Sequence, residues 1–137
     1  MKLLFIEDDE RFFRWLVESP DGDHQCTQAR SVREAERFLE DGKYDAVFVD
    51  LMMPGGEDAE VIVSRARAAC DVPLIILTGR EMRATLANIC DGFLFKDNLH
   101  PATEIPSAVE FYTSQRAAKH PYDKTAQLYN ALRGLTA

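Results

Sequence analysis

Leu3-Leu4-Phe5-Ile6 runs directly into Glu7-Asp8-Asp9-Glu10, and this junction decides the fold. Four bulky apolar residues in unbroken succession read as a strand buried on both faces, the pattern of a parallel sheet. The junction recurs three times. Ala46-Val47-Phe48-Val49 meets Asp50, Leu74-Ile75-Ile76-Leu77 meets Thr78, and Phe93-Leu94-Phe95 meets Lys96. Ligands of open parallel sheets sit at the carboxyl ends of the strands. The four junctions therefore bring carboxylates, a hydroxyl and an ammonium to one sheet edge, the chemistry of a metal and phosphate site.

Helix patterns fill the intervals. Glu10 to Glu18 carries Phe12, Phe13, Trp15, Leu16 and Val17 and is broken by Ser19-Pro20-Asp21-Gly22. A short, polar strand follows around His24 to Ala29, in keeping with a sheet edge. Ser31-Val32-Arg33-Glu34 has capping-box spacing and opens a helix with Val32, Ala35, Phe38 and Leu39 on one face; Asp41-Gly42 closes it. Ala59, Ile62, Ala66 and Ala69 recur at helical spacing after the Met53-Pro54-Gly55-Gly56 loop. Met82, Leu86 and Ile89 mark a short helix before Gly92. A further helix holds Val109, Phe111 and Tyr112, with Pro101 and Pro106 both suited to its first turn. Strands alternating with helices predict a parallel sheet covered on both faces through right-handed crossovers. Beyond Lys119, Asp123 can cap a last helix with Leu128, Tyr129, Leu132 and Leu135 as its apolar stripe. The expected division is a domain over 1–119 and a helical extension over 120–137.

A chain of 137 residues supports one domain. Its net charge of -7 argues against direct nucleic-acid binding, which rests on a basic footprint. The apolar run after Lys2 is too short for a signal peptide or a membrane span. Cys26, Cys70 and Cys90 lack C-x-x-C spacing and read as reduced thiols of a cytoplasmic protein. His24, His100 and His120 have no metal-ligand spacing.

The carboxylates suggest how the edge would work. A carboxylate is a weak nucleophile and a phosphoryl donor is anionic, so charge must be neutralised before the two meet. Glu7, Asp8 and Asp50 carry about -3 when ionised, and one Mg²⁺ with Lys96 supplies about +3. Mg²⁺ takes six oxygens, few of them direct carboxylates, and a main-chain carbonyl beyond Asp50 offers one more. Thr78 can donate a hydroxyl and Lys96 a point charge to phosphoryl oxygens. Taken singly, the acids favour a helix N-terminus, Asp50 and Thr78 read as caps, and Lys96 as a solvated charge. Their joint occurrence at successive strand ends points to a site.

Ile6-Glu7-Asp8-Asp9, Val49-Asp50-Leu51-Met52-Met53-Pro54-Gly55, Leu77-Thr78-Gly79 and Phe95-Lys96 resemble, in order, the four motifs of response-regulator receiver domains. The resemblance covers about residues 1 to 118. It implies a doubly wound, flavodoxin-like α/β fold with strand order 2-1-3-4-5, of the stand-alone single-domain type. By the same resemblance Asp50 accepts phosphate from a sensor histidine kinase or histidine phosphotransfer protein. Asp8, Asp50 and the Met52 carbonyl bind Mg²⁺ directly, Glu7 binds it through water, and Thr78 and Phe93 form the switch. A downstream protein, or a second copy of the chain as a homodimer, would read the switched surface, with no membrane or nucleic acid involved. The acidic pair is Glu7 with Asp8 if it directly follows the apolar run; Asp8 with Asp9 is the alternative.

Two departures stand out. Family members usually have Pro after the Lys, often in a cis peptide, whereas this chain has Asp97, for which a trans bond is expected. The Thr78-to-Lys96 segment is also about one helical turn shorter than the family norm. Rival readings are a haloacid-dehalogenase-type phosphatase, whose second Asp is replaced here by Met52, and a degenerate receiver that binds partners without phosphorylation. A flavodoxin-like nucleotide binder fits less well, since acids would not line its phosphate loop.

Overall fold

The computed structural model describes residues 1–18, 24–51, 59–79 and 84–117. Five strands, β1 (Lys2–Ile6), β2 (Gln25–Ala29), β3 (Ala46–Asp50), β4 (Leu74–Thr78) and β5 (Gly92–Phe95), form one sheet in the order β2-β1-β3-β4-β5. Every neighbouring pair is parallel. The helices are α1 (Glu10–Val17), α2 (Val32–Asp41), α3 (Ala59–Ala69), the single turn α4 (Ala84–Ala87) and α5, residues 101–117.

Strand periodicity sorts the core into two layers. Leu4, Ile6, Val47, Val49, Leu74 and Ile76 pack with residues of α2, α3 and α4. Leu3, Phe5, Ala46, Phe48, Ile75 and Leu77 face the other way, onto α1 and α5. Successive side chains of a strand point to opposite faces, so an unbroken apolar run serves both layers at once. Phe5 lies opposite Phe48 in the β1–β3 register and the rings stack with centroids 4.9 Å apart. Central β3 and β4 are buried along their whole length.

The edge strands differ. β2 is polar and half-exposed, as its composition predicts. β5 shares the apolar run of the central strands, yet only its first residue is buried and Phe95 is 46% exposed. Position at the sheet edge, rather than composition, leaves this run open.

Helix ends follow local chemistry. The Asp9 side chain caps α1 by accepting from Arg11 N at 2.9 Å and Phe12 N at 3.2 Å. Ser31 caps α2 by accepting from Glu34 N at 3.1 Å, and Glu34 Oε1 reaches back to Arg30 N at 3.4 Å. Gly42 closes α2 in extended backbone, not in the left-handed form that usually favours glycine there. Of the two prolines, Pro101 opens α5: the carbonyl of His100 accepts the N–H groups of Thr103 and Glu104. Within α3 the buried face is Ala59, Ile62, Val63 and Ala66, with Ala69 only half-buried. Phe111 on α5 is exposed while its neighbours Val109 and Tyr112 join the core.

At the opposite sheet edge from the acids, Asp91 ties the starts of β4 and β5 to α3 and α5. Its carboxylate accepts from Leu74 N at 2.8 Å, Arg67 Nη1 at 2.7 Å and Arg116 Nη1 at 3.0 Å. The helix expected at about Asp123 to Leu135 lies outside the described residues, as do Met52, Met53 and Met82.

Candidate functional site at the carboxyl edge

The strand order reverses between β1 and β3, the place where open α/β sheets form a crevice at the carboxyl ends of their strands. Glu7 and Asp8 leave β1 on one side of that point, and Asp50 ends β3 on the other. Glu7 is pinned by its backbone: its N–H donates to Ala29 O at 2.9 Å and its carbonyl accepts from Gln28 Nε2 at 2.8 Å. Oxygens of Glu7, Asp8 and Asp50 lie within 4.8 Å of one another.

Burial makes this cluster costly. Glu7 is 1% exposed and Asp50 3% exposed. Lys96 Nζ forms an ion pair with Asp50 Oδ1 at 2.7 Å. Glu7 Oε1 accepts from Asp9 N at 3.0 Å, but its Oε2 is buried without a hydrogen-bond partner among the described residues. Burial first, and then the adjacent Asp50 carboxyl, push the Glu7 pKa up to about 9, against the milder opposing pull of the Asp9 N–H and the Lys96 ammonium. The neutral acid form is the one this fold favours when no cation is present.

An orphaned buried oxygen beside two further carboxylates is a donor set for a hard divalent cation. Such ions take oxygen ligands, and Mg²⁺ retains waters that can reach a carboxylate it does not touch. The residues present thus fit Mg²⁺, which oxygens of Glu7, Asp8 and Asp50 could hold.

Thr78 closes β4 one residue beyond Leu77, the partner of Asp50 in the β3–β4 register, and is 4% exposed. Its carbonyl accepts from Lys96 N at 2.8 Å, so the lysine leaves β5 still tied to the end of β4. The peptide bonds of the described residues are all trans, including Lys96–Asp97, and the turn is made by Asn98 at φ 58°. Asn tolerates that left-handed conformation. Phe93 is half-buried against the α2–α4 layer. Met52 and its carbonyl lie outside the described residues.

Sequence reasoning missed two features of the site. Asp9 is engaged as the cap of α1, which distinguishes it from Glu7 and Asp8. Phe12 lies against Lys96, with Nζ 4.6 Å from the ring centroid. The N-cap spacing before an apolar helix could have signalled the first; no local pattern signals the second.

No family model matches the chain. The chain is 30% identical over 94 residues to the swarming motility regulation protein RssB of Serratia marcescens, covering 67% of this chain and 42% of that protein. It is 34% identical over 83 residues to the virulence transcriptional regulatory protein PhoP of Salmonella typhimurium, covering 59% and 37%. The receiver domain of the Francisella response regulator 1452 superposes with a TM-score of 0.67 at 22% identity, covering 83% of this chain and 97% of that one. The structural likeness gives the receiver fold, and the sequence relatives are response regulators. The chain is a response-regulator receiver domain of the two-component class. It spans about two fifths of the length of the curated relatives it matches. Among the described residues no helix is long and apolar enough to cross a membrane.

Proposed function

We propose that this receiver domain takes a phosphoryl group on Asp50 from a phosphohistidine of a sensor kinase or phosphotransfer protein and thereby switches a surface read by a downstream protein. The Asp50–Lys96 ion pair at 2.7 Å, set among the oxygens of Glu7 and Asp8, is the observation that supports this reading most directly. A bound Mg²⁺ would supply the positive charge that lets an anionic donor approach three carboxyl groups. Glu7, Asp8, Asp50 and the Met52 carbonyl are its proposed ligands, Glu7 through water.

The chemistry of the chain's own groups follows. An Asp50 carboxylate oxygen attacks phosphorus, an O–P bond forms, and the P–N bond to the donor imidazole breaks, with its electron pair leaving on nitrogen. Lys96 then has a new anionic oxygen to pair with, because the carboxylate it held has become an acyl phosphate. The Thr78 hydroxyl donates to another phosphoryl oxygen, and its movement makes room for Phe93 to turn inward from its half-buried position. A cytoplasmic setting, where kinases of this class act, goes with this reading.

Intact-mass analysis after incubation with acetyl phosphate and MgCl₂ tests it. One phosphoryl group is expected on the wild type and none on Asp50→Asn. Labelling of that variant would refute the assignment. Mg²⁺ binding with no phosphoryl uptake would instead make the domain a phosphorylation-independent binding module, and steady phosphate-ester turnover would favour the phosphatase reading.

A further inference from the structure

Lys96 leaves an edge strand whose last residue is half-exposed, on a long, flexible and strongly hydrated side chain. The ion pair with Asp50 holds the ammonium on one side, and the Lys96 side chain is only 22% exposed. The Phe12 ring, in the first turn of α1, meets the ammonium as well: Nζ lies 4.6 Å from the ring centroid and 2.7 Å from Asp50 Oδ1. Trp15 in turn stacks on Phe12, with centroids 5.6 Å apart and planes 28° apart. Phe12 is partly buried and packs against the core layer on that side of the sheet.

We propose that Phe12 is a positioning residue for phosphoryl transfer, holding the Lys96 ammonium at the phosphorylation site through its ring face, with Trp15 as its support. The inference rests on the phospho-acceptor reading of Asp50. A cation is attracted to the negative face of an aromatic ring without a preferred hydrogen-bond direction. The ring can therefore keep the ammonium in place both when it pairs with the carboxylate and when it pairs with a phosphoryl oxygen. The hydrogen bond to Asp50 is directional and must be exchanged during the reaction; the ring contact need not be. The ring also covers one side of the ammonium from water, where the attraction is strengthened by desolvation.

Replacement of Phe12 in the full chain by Leu, Tyr, Trp and pentafluorophenylalanine separates this role from packing. Pentafluorophenylalanine keeps the shape of the ring and reverses the sign of its face. Labelling by acetyl phosphate at saturating Mg²⁺ should slow about three- to tenfold with Leu and with the fluorinated ring, and stay near wild type with Tyr and Trp. In wild-type protein the Lys96 side-chain methylene protons nearest the ammonium should show an upfield ring-current shift by NMR, lost in Phe12→Leu. Equal labelling rates for the fluorinated and native rings, or no ring-current shift in the wild type, would overturn the proposal. If the wild type took no phosphoryl group at all, the phospho-acceptor reading would fall, and the NMR shift would still decide whether the ring holds the lysine.

Discussion

Glu7→Gln should flatten the pH dependence of stability that the wild type shows across the neutral range. The Glu7 carboxyl is buried, one of its oxygens lacks a partner, and its pKa rises from 4.5 to about 9 in the fold. The unfolded chain releases this proton near the ordinary value, whereas the folded chain keeps it. Between these limits the folded state binds the extra proton, so its stability is fully present below about pH 4.5 and is lost progressively as the pH rises towards 9. The slope of such a group is about 1.4 kcal/mol per pH unit. From about pH 5.5 to 7.5 that is on the order of 3 kcal/mol, or roughly 10 °C in Tm for a domain of this size. Gln keeps the shape and cannot ionise, so its slope should be shallower and its Tm at pH 7.5 higher. Thermal unfolding followed by circular dichroism in the presence of a chelator, at three pH values in that window, measures both. Saturating Mg²⁺ at about pH 7.5 should then raise the wild-type Tm more than that of Glu7→Gln, because a cation favours the ionised carboxylate. Parallel pH profiles for the two proteins in chelator would refute the reasoning.

Calorimetric titration with Mg²⁺ should show Asp8→Ala losing far more affinity than Asp9→Ala, whereas Asp9→Ala should lose about 1 kcal/mol of stability as a missing helix cap. A greater loss of affinity in Asp9→Ala would shift the acidic pair by one residue. Gly92→Ala should destabilise the domain by about 1–3 kcal/mol in urea unfolding, because a Cβ there would stand 1.9 Å from Tyr112 Cζ; Tyr112→Leu in the same chain should recover part of the loss. Asp91→Asn should cost about 2–3 kcal/mol, since it leaves Arg67 and Arg116 without their shared, mostly buried anion. Burial alone would raise the Asp91 pKa, but the Leu74 N–H and the two guanidiniums outweigh it and hold it below the usual range. The stability it provides is therefore present above its ordinary pKa and lost as the pH falls through the lowered value, and the variant should lack that acid-range loss.

Local apolar runs and the polar residues that stop them determined the alternation of elements and the carboxyl edge. Leu3 to Ile6, Ala46 to Val49 and Leu74 to Leu77 are uniformly apolar over four residues, the pattern of strands buried on two faces. Ser31 and Glu34 likewise marked the start of α2 through bonds made within four residues. The joint position of these side chains followed because Glu7, Asp50, Thr78 and Lys96 each directly end a run, with Asp8 next to Glu7, and parallel strands end on the same side. Tertiary structure decided what depends on distant neighbours. Phe93 to Phe95 has the composition of a central strand, and only its place at the sheet edge leaves Phe95 open. The Asp91 cluster joins residues from 67 to 116, and the contact of Phe12 with Lys96 spans 84 positions. The raised pKa of Glu7 comes from burial and from Asp50, two effects that exist only once β1 and β3 lie side by side. Patterning within a few residues sets backbone conformation, whereas desolvation and charge depend on atoms that only the folded chain brings into range.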